Sequence, residues 1–166
     1  MIGLDLGSSC LSGSINSSST LFLLVHLQSL DLSDNDFNYS NIPSGVDQLS
    51  SLRSLNLSSS RFSGQIPSEV LALSKLVFLD LSQNQLKLQK PDLRNLVQKL
   101  IHLKNLDLSQ VNISSPVPDT LANYSSLSSL FLENCGLSGE FPRHIAASKP
   151  TISQCEEQSR SDRLFA

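Results

Sequence analysis

Leu52-Arg53-Ser54-Leu55-Asn56-Leu57-Ser58-Ser59-Ser60-Arg61-Phe62-Ser63-Gly64-Gln65-Ile66-Pro67 holds two devices joined end to end. In its first half, side chains alternate as in a short strand, so Leu55 and Leu57 point one way and Asn56 the other. In its second half, Gly64 permits a positive-φ bend, and Pro67 fixes an extended φ while withholding a ladder donor. The segment is thus a strand followed by a corner. Working outward, the Leu-x-Leu pair recurs at Leu4/Leu6, Leu30/Leu32, Leu79/Leu81, Leu106/Leu108 and Leu130/Leu132, so that the six pairs are 26, 25, 24, 27 and 24 residues apart. A further apolar residue stands three positions before each pair from the second unit on (Leu27, Leu52, Leu76, Leu103, Leu127), and another five after it (Phe37, Phe62, Leu86, Ile113, Leu137).

This is the leucine-rich-repeat pattern, Leu-x-x-Leu-x-Leu-x-x-Asn/Cys-x-Leu. No unit buries its leucine layer alone, so neighbours must stack, and stability becomes a sum of nearest-neighbour terms. The expected fold is an α/β right-handed solenoid of about six units over residues 1–147, with a parallel β-sheet on the concave face and short or 3-10 helices on the convex face. Residues 148–166 lose the repeat and read as a polar, disordered tail. Apolar-Pro pairs at Ile42-Pro43, Ile66-Pro67, Val117-Pro118 and Phe141-Pro142, and Ser-Gly pairs at Ser12-Gly13, Ser63-Gly64 and Ser138-Gly139, mark the corners. The fourth unit lacks them. There Leu93, Leu96, Val97 and Leu100 fall at helical spacing after Pro91, which predicts a short convex helix with the proline in its first turn. The turn position two before the last apolar site is Ser9, Asn35, Ser60, Asn84, Val111 and Cys135. An Asn amide there can both donate to and accept from the turn backbone, whereas Val111 can do neither and predicts a weaker fifth turn.

Composition narrows the function. With 32 Leu, 33 Ser and no Trp, the core must be almost wholly aliphatic. A net charge of -3 without any Lys/Arg run argues against nucleic acid. The longest apolar run, Leu21 to Val25, is far short of the roughly 20 residues of a membrane span. Met1 to Leu6 runs straight into a repeat, so a secretory signal and a membrane helix are expected outside this chain. Cys10, Cys135 and Cys155 form neither a metal cluster nor a disulfide framework, and leave the redox state open. No Gly-x-Ser-x-Gly, His-Glu-x-x-His or phosphate loop accompanies His26, His102 or His144. The expectation is no catalytic residue, no cofactor and no metal.

With Leu11-Ser12-Gly13-Ser14-Ile15, Phe62-Ser63-Gly64-Gln65-Ile66-Pro67 and Leu137-Ser138-Gly139-Glu140-Phe141-Pro142 in view, the chain resembles the plant-type leucine-rich-repeat ectodomain, and within it the receptor-like proteins of disease resistance. The resemblance implies a cell-surface receptor with a large ectodomain, a transmembrane helix and little or no kinase region. Its partners would be a peptide, glycan or protein ligand and a co-receptor ectodomain. Relative to that family the chain lacks paired-cysteine caps, which makes a truncated piece the expectation. Alternatives are a standalone inhibitor-type interaction module and a decayed, non-functional copy.

The strand positions that face solvent are the candidate sites. Arg53, Phe78, Lys104 and Phe131 are the side chains best suited to anchor a ligand, because aromatics and arginines dominate binding hot spots. The column Asp5, Asp31, Asn56, Asp80, Asp107, Phe131 reads as scaffold rather than as a cation site, with Asp80 and Asp107 raising each other's pKa. Five glycosylation sequons start at Asn16, Asn38, Asn56, Asn112 and Asn123. Asn56 lies in the middle of the proposed binding face, so either it stays unmodified or ligands bind elsewhere.

Overall fold

The computed structural model describes residues 2–119, 121, 126–138 and 151–153. The strands are β1 (Gly3–Asp5), β2 (Ser29–Asp31), β3 (Ser54–Asn56), β4 (Ser63–Gln65), β5 (Phe78–Asp80), β6 (Gln85–Lys87), β7 (Asn105–Asp107), β8 (Ser129–Phe131) and β9 (Thr151–Ser153). Each central strand is short because only its Leu-x-Leu core is periodic. Seven of them form one parallel sheet in the order β1-β2-β3-β5-β7-β8-β9. Its register places Leu4, Leu30, Leu55, Leu79, Leu106 and Leu130 side by side, so one leucine of each coil stacks on the next. From Leu30 onward every member of that row is buried. A fully buried leucine contributes about 1.5–3 kcal/mol, and the row repeats that contribution coil by coil. Phe37 and Phe62 add a stacked pair with ring centroids 4.7 Å apart.

Two features differ from the sequence reading. The repeat was expected to end at 147, but β9 pairs in parallel with β8, Leu130 opposite Ile152. Backbone N–H and C=O groups on the edge of β8 pair with any extended segment, leucine motif or not, so strand addition outruns the motif. The remainder of the 148–166 tail lies outside the described residues. Second, the convex helix α1 runs Leu93–Lys99 with Asp92 as its N-cap, so Pro91 precedes the cap instead of sitting in the first turn. The Asp92 side chain accepts from the Asn95 N–H at 2.7 Å and the Asn95 side chain accepts from the Asp92 N–H, a reciprocal cap that fixes where the helix starts. Leu93, Leu96 and Val97 face the core, as their spacing predicts.

The other convex elements are 3-10 helices at Thr20–Leu23, Ser44–Gln48 and Ser68–Ala72. Pro43 and Pro67 stand immediately before two of them in extended conformation. The Ser-Gly corner does more than bend the chain: β4 and β6 form a second, smaller parallel sheet. Isolated bridges Ser12–Asp36, Asn41–Ser63, Lys87–Asn112 and Pro116–Ser138 continue its line along the coils. Gly64 sits in β4 at φ +79, where an added Cβ would overlap Asn41 Oδ1.

The turn ladder carries the polar load. Asn84 Nδ2 donates to the carbonyls of Leu57, Leu81 and Ser82, and its Oδ1 accepts from the N–H groups of Ser60 and Phe62. Asn35 does the same for Leu6, Leu32, Ser33 and the Leu11 N–H. Smaller donors serve other coils: Ser60 Oγ reaches Leu32 O at 2.7 Å, and Cys135 Sγ reaches Leu108 O at 2.9 Å. Val111 has no such side chain. Its own N–H closes on Leu108 O, its side chain is wholly buried, and Asn84 from the preceding coil serves Leu81 O instead.

Candidate ligand-binding face

The concave sheet presents three columns of side chains. Outermost are Gln28, Arg53, Val77, Lys104 and Ser128, joined by N–H···O bonds of 2.7–2.8 Å from each residue to the one before. Beside them run Ser29, Ser54, Phe78, Asn105 and Ser129, held in register by the strands. Neighbouring strands lie about 4.8 Å apart, so Arg53 and Lys104, two strands apart, are separated by about 10 Å with Val77 and Phe78 between them. Arg53, Phe78 and Lys104 are all exposed, Phe78 at 36%. Neither cation makes an ion pair among the described residues, where the only salt bridge joins Arg61 to Asp36. The fourth expected anchor, Phe131, is half-buried and belongs to the next column, beside Asp107 on the far side of β7. The fold therefore gathers three of the four and sets Phe131 apart.

The acidic column is built as turn caps. Asp5 accepts from the Gly7 N–H, Asp31 from Ser33, Asn56 from Ser58, Asp80 from Ser82 and Asp107 from Ser109, each two residues on. A carboxylate or amide bonding its own backbone two residues later closes the strand into its turn. Burial alone would raise Asp31, but hydrogen bonds from the Ser33 hydroxyl, the Ser33 N–H and Asn56 Nδ2 outweigh it and hold the carboxyl below its ordinary value. Asp80 moves the other way: burial raises it, the bonds from Ser82 only partly offset this, and Asp107 and Asp31 add smaller repulsions. Like-charge repulsion between Asp80 and Asp107 is thus real but secondary to desolvation at Asp80.

Asn56 is pinned in the middle of this column. Its Nδ2 donates to Asp31 Oδ2 at 2.9 Å, and its Oδ1 accepts from both the N–H and the hydroxyl of Ser58. The other described sequon asparagines, Asn16, Asn38 and Asn112, are exposed and lie away from the concave strands. Asn123 is outside the described residues, as are His144 and Cys155. His26 and His102 are exposed and precede Leu27 and Leu103, three strands apart. Depressions of about 350 Å³ beside Asp92 and Pro116, and of about 310 Å³ beside Cys10 and Arg61, lie off the sheet face. That face is an open surface, suited to an extended ligand rather than an enclosed small molecule.

A further set of positions escaped the sequence reading. The residue two after each leucine pair is left-handed in all six coils: Ser8, Asp34, Ser59, Gln83, Gln110 and Asn134, with φ of 51–68°. From Ser8 to Gln110, each N–H bonds the next coil's turn carbonyl, extending the ladder past the strand. Only Asp34 and Asn134 are of residue types that favour this conformation, so composition gave little signal.

The profile described as Leucine Rich Repeat matches residues 26–49, 51–73 and 126–147. Receptor-like protein 6 of Arabidopsis thaliana is 43% identical over 150 residues, covering 86% of this chain and 15% of that protein. The chain thus spans a small part of the length of such relatives. Among solved structures, the plant peptide hormone receptor RGFR1 in complex with RGF2 superposes with a TM-score of 0.77 at 29% identity, over 92% of this chain and 24% of that one. The ectodomain of the receptor kinase SOBIR1 from Arabidopsis thaliana gives 0.70 at 30% identity, over 81% of this chain and 69% of that one. No helix among the described residues is long and apolar enough to cross a membrane. The coils, the Asn ladder, the Ser-Gly corners and these likenesses together place the chain in the leucine-rich-repeat family, with plant receptor-like proteins among its relatives.

Proposed function

We propose that this chain is a non-catalytic recognition segment of a plant cell-surface receptor-like protein of the defence type, lying outside the cell and binding its ligand through the concave sheet. The observation that carries this reading is the cluster of Arg53, Phe78 and Lys104 on three adjacent strands, exposed and without ion pairs among the described residues. A peptide laid across the strands would meet an aromatic anchor bracketed by two cations about 10 Å apart, with the acidic turn caps below. The RGFR1 structure holds a peptide hormone, RGF2, which supports a peptide as the ligand class. A co-receptor ectodomain would then complete the complex, and no cofactor takes part.

The test is selection of binders from a random peptide library on the secreted 166-residue chain, followed by titration of Arg53→Ala, Phe78→Ala and Lys104→Ala. Loss of an anchor costs about 1 kcal/mol or more, about fivefold or more in Kd, with the circular dichroism spectrum unchanged. Equal affinity of all three variants and the parent moves the site off this face.

A further inference from the structure

We infer that the chain carries N-linked glycans at Asn16, Asn38 and Asn112 and keeps Asn56 bare, so that glycosylation clothes the flanks of the solenoid and leaves the concave sheet open. The inference rests on the extracellular placement proposed above. All four asparagines begin an Asn-x-Ser sequon, so sequence alone does not separate them. Their surroundings do.

In the transfer step, a lipid-pyrophosphate-linked oligosaccharide gives up its first sugar carbon to the asparagine amide. The Nδ2–C bond forms, the C–O bond to pyrophosphate breaks, the pyrophosphate leaves with the electron pair, and a base takes one amide proton. The product must then fit the final fold with Nδ2 carrying a branched, hydrated substituent. Asn16, Asn38 and Asn112 meet that demand. Each is exposed, and among the described residues none uses its Nδ2 in a hydrogen bond. At Asn16 only Oδ1 is engaged, by the N–H of Ser18 at 3.0 Å and its hydroxyl at 2.6 Å. At Asn112 only Oδ1 is engaged, by the Ser114 hydroxyl. Among the described residues Asn38 makes no side-chain hydrogen bond, and it sits at φ 52 on an outward turn.

Asn56 fails on each count. It is half-buried, and both ends of its amide are committed. Two bonds from Ser58 to Oδ1 stop the amide plane from rotating, and Nδ2 is directed along the sheet at the Asp31 carboxylate, not out into solvent. Sheet neighbours Asp31 and Asp80 flank it at about 4.8 Å. A sugar on Nδ2 would leave it a single N–H and crowd the Asp31 contact, a donor on which the lowered pKa of Asp31 depends in part. It would also stand one strand from Phe78, over the row proposed to meet the ligand. At this position the amide serves as a cross-strand clasp.

The test is glycopeptide mapping of the whole 166-residue chain, expressed behind a secretory signal in plant cells and recovered from the secreted fraction. Expected are glycan-bearing peptides at Asn16, Asn38 and Asn112 and an unmodified peptide at Asn56. Asn16→Gln, Asn38→Gln and Asn112→Gln should each remove one glycan mass. Ser58→Ala destroys the fourth sequon while sparing the Asn56–Asp31 bond, and should leave the mass lower only by the substituted oxygen. A glycan found at Asn56, a glycan-sized drop in Ser58→Ala, or a bare Asn16, Asn38 or Asn112 overturns the inference. If a secreted chain is bare at all three, only this inference fails. If the anchor variants above lose no affinity while the glycan map holds, only the binding reading fails.

Discussion

Replacing Asn84 by Val copies into the fourth coil the residue that the fifth coil carries at Val111, and the structure gives the cost. Asn84 is 7% exposed and makes five hydrogen bonds, two as acceptor and three as donor. Valine leaves the Ser60 and Phe62 N–H groups without their acceptor, and each buried donor so orphaned costs about 1–3 kcal/mol. The three carbonyls are hurt less, since each oxygen has a second lone pair. Against this, the buried valine side chain contributes about 1–2 kcal/mol of apolar transfer. The net expectation is a loss of about 3–4 kcal/mol, a large share of the 5–15 kcal/mol that holds most domains together. The assay is hydrogen exchange resolved by residue, supported by urea unfolding. The Ser60 and Phe62 amides should exchange about a hundredfold to a thousandfold faster in Asn84→Val, as 1.4 kcal/mol is a factor of ten, while coils away from the lesion keep their protection because coupling runs only between neighbours. A loss below about 1 kcal/mol with both amides still protected would refute the claim that the Asn ladder, rather than leucine stacking alone, holds the turns.

Asp80 and Asp31 should respond to pH in opposite directions. Asp80 has a raised pKa in the fold, so its contribution is fully present below the ordinary value of 3.8 and is lost as pH rises through the folded value. Asp80→Asn keeps the acceptor for Ser82 and should therefore be more stable than the parent at pH 7, by at most about 1 kcal/mol at this partly exposed site, with the gap closing below pH 3.8. Asp31 is depressed, so its contribution is present above 3.8 and is lost as pH falls through its lowered value. Asp31→Asn should be less stable at pH 7, since Asn56 Nδ2 then loses its carboxylate; thermal melts from pH 3 to 7 check both. Gly64→Ala should cost about 1–3 kcal/mol in urea unfolding, because its φ of +79 and the Asn41 contact both oppose a Cβ. At pH 7.5 Cys10 should alkylate readily, being exposed, while Cys135 stays unmodified until the chain unfolds, since burial pushes its thiol up to about 11.

The sheet, its inward leucines and the convex helix were all legible in the sequence, because a 24–27-residue period of apolar sites can be buried only by stacking. Cap chemistry at Asp31, Asn56, Asp80 and Asp107 was legible as scaffold for the same reason: it recurs once per coil. What the sequence left open depended on contacts between coils. The second sheet through Ser63–Gln65 and Gln85–Lys87, and the strand at Thr151–Ser153, are backbone pairings, and backbone groups are the same in every residue. The left-handed turn residues, too, are imposed by the ladder and not chosen by their side chains. Four sequons that look alike in one dimension part company only when Asn56 meets Asp31 from a residue 25 positions away. Likewise Arg53, Phe78 and Lys104 become neighbours only because the strand register sets successive coils side by side, whereas Phe131 falls in the column of Asp107.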